Sequence, residues 1–197
     1  MSALCDALRP SWLPGINTIS GRTTRSVLGL LASQNYQVYS PTKSTSAELH
    51  FSDWNDVLDA FADDCARLCS AAFETIEGIA TSKRLPKSVS WLIVRCYYAA
   101  FYAAHAVMRM VGKSLTQLDA PATNAIDSVS HLFGMLPGRG LERGLYVCQA
   151  VSSTASLQLN KVSSEGSHEA LWSNFFGMIK SIGGTLLAVP GASVPTQ

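Results

Sequence analysis

Between Trp91 and Gly112 the chain is apolar and rich in small residues, yet Arg95, Tyr98, Tyr102, His105 and Arg109 recur there at three- and four-residue steps. A helix of about 3.6 residues per turn gathers those five side chains into one stripe. Burying such a stripe is costly unless its polar atoms find partners, because an unpaired polar group gives up its water for nothing. The stripe therefore either meets a partner helix or lines a site.

Its surroundings set the expected fold. Gly112 is placed to stop this helix, predicted over 86–112, with Arg109 in the last turn. Before it, Ser52 can cap a helix whose first turn holds Asp53 and Asp56, favourable at the positive end of the dipole. Its apolar side runs Trp54, Leu58, Phe61, Cys65, Leu68, Ala72, Ile76 and Ile79, with Asp59, Asp63 and Asp64 off that line. Joined through 83–87, the two helices should lie antiparallel and bring Asp59 or Asp63 near Arg109 or Lys113. Pro121 can open a third helix over 121–136, broken by Pro137 to Gly140, and a fourth is predicted over 141–160. A last helix starts at Ser167, carries Trp172, Phe175 and Phe176, and ends at Gly183 and Gly184.

The sequence thus predicts an all-α protein, an antiparallel four- to five-helix bundle over 51–183 with a short irregular or β-hairpin N-terminal extension over 1–50. In that extension 24–33 reads as a short helix, and 36–40 with 47–51 as a small hairpin. Residues 184–197, rich in Pro, Gly and Ser, read as a flexible tail.

Composition narrows function. The net charge of +1 gives no global pull toward nucleic acid or anionic membrane, so any basic site must be local. Charged residues make up 15% of the chain against a typical ~25%, and hydrophobic residues 47%. A surface so poor in charge is expected of a subunit that buries area against itself or a partner. Residues 1–15 do not read as a signal peptide and no apolar run is long enough for a membrane span, so no membrane association and a cytoplasmic location are expected. The five cysteines include no CxxC pair and are expected as buried, reduced thiols. Asp59, Asp63 and Asp64 lack a His or Glu at helical spacing, and 137–140 lacks the Lys-Ser/Thr of a nucleotide loop. Neither a metal nor a cofactor is implied.

The run Arg95-Cys-Tyr-Tyr-Ala-Ala-Phe-Tyr-Ala-Ala-His-Ala-Val-Met108 resembles the second-helix signature of HEPN domains, above all the small ones paired with minimal nucleotidyltransferases. The resemblance spans about 52–182, although only this run is specific. It implies a HEPN-like helical bundle that dimerises, in a prokaryotic toxin–antitoxin or antiviral defence setting linked to RNA cleavage. Active members carry Arg-x(4–6)-His on a late helix, where Arg stabilises phosphate charge and His moves a proton. Here no His lies five to seven residues after any Arg. The family's catalytic motif is absent.

Arg95 and His105 remain as candidate catalytic residues, one to hold phosphate and the other to titrate near neutral pH. Tyr98, Tyr102 and Arg109 are the candidate RNA-binding or site-lining residues. The competing reading pairs Arg95 with a carboxylate of the preceding helix and leaves the tyrosines inside the bundle or a dimer seam. Trp172, Phe175 and Phe176 read as core rather than as a base-stacking platform. The expected function is a non-catalytic assembly or RNA-interacting subunit, as a homodimer or in a complex with a defence or antitoxin protein. The alternatives are a metal-independent ribonuclease toxin with a rearranged site and an unrelated helical adaptor.

Overall fold

In the computed structural model, which describes residues 8–19, 25–39, 44–80, 88–132, 140–162 and 166–187, the chain is mixed α/β and not an all-α bundle. Its elements are α1 (Val27–Ala32), β1 (Gln37–Val38), β2 (Ser46–His50), α2 (Trp54–Ala80), α3 (Val89–Met110), β3 (Lys113–Leu118), α4 (Ala120–Leu132), β4 (Gly144–Val151), β5 (Ser156–Lys161) and α5 (Ser167–Leu187). The strands form one antiparallel sheet in the order β1-β2-β5-β4-β3.

Three corrections follow. The helix expected over 141–160 is the β4–β5 hairpin, turned at Ser152–Thr154 with Ala155 in the left-handed region at φ 47. The hairpin expected near the N-terminus exists as β1 and β2, but β2 also pairs with β5, Ser46 opposite Asn160 and Leu49 opposite Leu157. That segment is therefore the flank of the central sheet and not an extension. Gly183 and Gly184 lie inside α5 and do not end it; residues 188–197 lie outside the described ones.

The alternation of side chains along each strand builds two cores. On one face Val38, Leu49, Tyr146, Cys148, Leu157 and Leu159 pack beneath α1, α4 and the first half of α2, where Phe61 is fully buried. On the other, Leu115, Leu145 and Val147 pack beneath α5 and the second half of α3, through Met108, Leu171 and Met178. Gly112, at φ 75, ends α3 as its position predicts and turns the chain straight into β3. The predicted third helix is α4, with Pro121 in its first turn and Asp119 accepting the Ala122 amide at 3.0 Å.

The long helices α2 and α3 are antiparallel neighbours, as expected. Cys65 Sγ reaches Ala106 O at 3.4 Å near one end, and Arg95 reaches Thr75 O at 3.2 Å near the other. Only the end holding the start of α2 and the end of α3 sits in the cores. The opposite end leaves Phe73, Val89, Trp91 and Ile93 at 73%, 70%, 58% and 64% exposure.

Candidate functional site

The five residues of the α3 stripe do share one side of the helix, but they divide into two places. Arg95 sits near the far end of the hairpin and donates to the carbonyl of Thr75, with that of Gly78 at 3.5 Å. Among the described residues its hydrogen-bonded partners are thus carbonyls near the C-terminal end of α2, where the helix dipole is negative, rather than a carboxylate. Gly78 leaves room for this contact, since a Cβ there would land on the guanidinium. Beside it Tyr98 and Tyr102, ring centroids 6.2 Å apart, line an open cleft of about 430 Å³ with Trp91, Val94, Glu74 and Thr75.

His105 and Arg109 lie toward the buried end. Arg109 is 6% exposed. Its Nη1 donates to His105 Nδ1 at 2.8 Å, and its Nε lies 3.9 Å from Asp64 Oδ2. Asp64 also pairs closely with Arg67 and accepts the Val27 amide at 3.2 Å, which ties α1 to α2 and α3. The hairpin register is as predicted, but the carboxylate that meets Arg109 is Asp64. Asp63 pairs with Arg67 at 3.7 Å. Burial draws the Arg109 pKa below its usual value, and the Asp64 carboxylate opposes that shift.

Ten residues at about 1.5 Å each separate Arg95 from His105 by roughly 15 Å along the axis, so the two are not brought to one reacting centre. Nor is His105 poised near neutrality. Burial, with Arg109 and His168 nearby, pushes it down to about 4. With Nδ1 accepting from a guanidinium, the neutral ring carries its proton on Nε2. A histidine held neutral in the fold, against an ordinary ~6.5 when unfolded, gives stability that is complete above ~6.5 and drains away as pH falls toward 4. Thermal melts should therefore drop over that window for the wild type and flatten for His105→Gln. Identical pH profiles for the two proteins would rule out this assignment.

A second polar cluster escaped the sequence reading. Trp172 Nε1 donates to Tyr97 Oη at 3.1 Å, and Tyr97 Oη shares a hydrogen bond with His168 Nδ1 at 2.7 Å. Phe101 stacks on His168 with centroids 4.6 Å apart. These contacts dock the start of α5 on α3. The hint in the sequence is Tyr97 and Phe101, one turn apart and about a quarter-turn from the noted stripe. Of the aromatic trio of α5, Trp172 and Phe175 pack on the second core while Phe176 is 63% exposed.

On the side of the hairpin away from the tyrosine cleft runs an apolar groove of about 420 Å³. Its floor is Ala72, Ala99, Ala103 and Ala106, its walls include Phe73, Ile76 and Val107, and the exposed thiol Cys96 opens into it. Among the described residues the cysteines are free, and no group of three His, Cys, Asp or Glu could hold a metal ion. Of the loop expected at 137–140, residues 137–139 lie outside the described residues. Among those described, no helix is long and apolar enough to cross a membrane. Compared with known proteins, the chain matches no family model, no curated protein and no solved structure.

Proposed function

We propose that this protein is an assembly subunit, an α/β body that presents its α2–α3 hairpin to another protein chain. The observation that carries this reading is the apolar outer half of the hairpin, where Phe73, Val89, Trp91 and Ile93 each stay more than half exposed. Large apolar side chains left exposed together at one end of a hairpin mark a surface for contact with another chain. Burying each of these side chains is worth on the order of 1–2 kcal/mol. The resemblance of 95–108 to HEPN helices supports a setting in prokaryotic defence or a toxin–antitoxin pair, with the partner a protein of that system. The ribonuclease alternative draws less support, because Arg95 is engaged with α2 carbonyls and His105 is neutral with Nδ1 occupied. RNA contact keeps one supporting feature, the aromatic cleft of Trp91, Tyr98 and Tyr102 beside Arg95.

The test is a triple variant, Phe73→Ser, Trp91→Ser and Ile93→Ser, compared with the wild type for association and for binding of a hydrophobic dye. Because all three are exposed, cooperative melting should stay within about 0.5 kcal/mol per site. Association and dye binding should both fall sharply. A wild type that is monomeric at high micromolar concentration and silent to the dye would end this reading.

A further inference from the structure

The alanine-floored side of the hairpin has a feature that identifies its occupant. Along α3 the residues facing that side are Val89, Ile93, Cys96, Ala100, Ala103 and Val107, a three- and four-residue repeat. The order of sizes matters. Reversed end to end about its midpoint, this row sets Ile93 against Ala103, Cys96 against Ala100, and Val89 against Val107. Large thus meets small, and the ends meet as equals. The outer half supplies ridges, with Val89 and Ile93 exposed, and the inner half supplies the hollow, with Ala100 and Ala103 accessible above the groove.

We infer that this face takes a second copy of the same chain, with the two α3 helices antiparallel across a two-fold axis between Cys96 and Ala100. The inference rests on the assembly reading above and names its partner. A two-fold contact requires one surface to be complementary to itself, which is what the reversed row provides. Charge agrees with it. None of the six row residues is charged, nor is any residue lining the groove, so two copies meet without like charges opposed. Phe73 and Ile76 of α2 stand level with the middle of the row and flank the axis. From Val89 to Val107 the face is about 27 Å long and two helices, about 20 Å, wide. In projection that is roughly 540 Å² per partner, which approaches the ~800 Å² that a standard-size stable interface buries. Small residues in the hollow let the backbones approach closely, so the packing is dense rather than a loose apolar contact. On the opposite side of α3, Trp91, Tyr98 and Tyr102 then face outward on both copies, free for a different partner.

The full chain should behave as a dimer by light scattering from low to high micromolar concentration. A short bis-maleimide should join Cys96 to Cys96, mapped by mass spectrometry. Ala103→Glu sets a carboxylate against Ile93 of the other copy and Ala100→Glu sets one against Cys96, so each buries an unpaired charge in the contact and should weaken dimerisation roughly a hundredfold or more, with melting unaltered in cooperativity. Trp91→Ser, on the other side, should leave the dimer intact. A dimer that is indifferent to both glutamates and gives no Cys96 link contacts elsewhere and overturns the inference. A monomer that still binds a hydrophobic dye, and loses that binding with Ile93→Ser, also overturns it while leaving the hairpin as a docking surface for another protein. A dye-silent monomer removes both.

Discussion

Asp64→Ala is expected to cost about 3–5 kcal/mol, while Asp63→Ala, one residue away, costs less than about 1 kcal/mol. The contrast comes from what each carboxylate leaves behind. Removing Asp63 breaks a 3.7 Å contact with Arg67, whose side chain is 59% exposed and simply returns to water. Removing Asp64 strands Arg109, which has 7% of its side chain exposed and an Nε that already lacks a hydrogen-bond partner among the described residues. It also frees the Val27 amide at the start of α1. Denaturant titration of the two variants side by side is the measurement, and a melting loss on the order of 10 °C for Asp64→Ala accompanies that cost in a chain of this length. Equal, small losses for both variants would mean that Arg109 finds another way to be satisfied.

Leu171→Ala should cost about 2–4 kcal/mol, and its damage should be local. Leu171 is fully buried in the smaller core, between α5 and the β3–β4 side of the sheet. The larger core lies on the other sheet face and shares none of its buried residues. Hydrogen exchange should therefore accelerate in α5 and in the part of α3 around Ala104 and Met108, while β2, β5 and α1 keep their protection. Uniform acceleration across both faces would show that the two cores unfold as one unit.

The helical half of this fold is legible because α2 and α3 bury one side each and keep a clear period. The strands are not, for reasons that can be named. In β4, Leu145-Tyr146-Val147-Cys148 is apolar at every position because both faces of that strand are covered, and a continuous run does not distinguish strand from helix. Leu141, Leu145, Cys148, Ala155 and Leu159 moreover fall at spacings that suit a helix as well. In β5 the alternation is plain, Leu157 and Leu159 inward and Asn160 outward, but it spans only six residues. The candidate site was legible as a stripe and not as a site. Fourteen residue steps separate Arg95 from Arg109, about 21 Å, so among the described contacts only His105 and Arg109 of the five touch one another by a hydrogen bond. Asp64 hid among three aspartates, although Val57, Ala60 and Phe61 lie on its side of α2 and mark that side as buried.

The pairing of β2 with β5 also dictates an order of events during synthesis. Ser46 must wait for Asn160, and the sheet has no complete centre until β5 exists. By then the α2–α3 hairpin, which needs only its own local contacts, has long left the ribosome with both of its sides bare. For that interval Leu115, Met108 and Val147 have no α5 above them, and the apolar outer half of the hairpin meets whatever the nascent chain encounters. Refolding should accordingly be slow, with a yield that falls as protein concentration rises, because of this strand order.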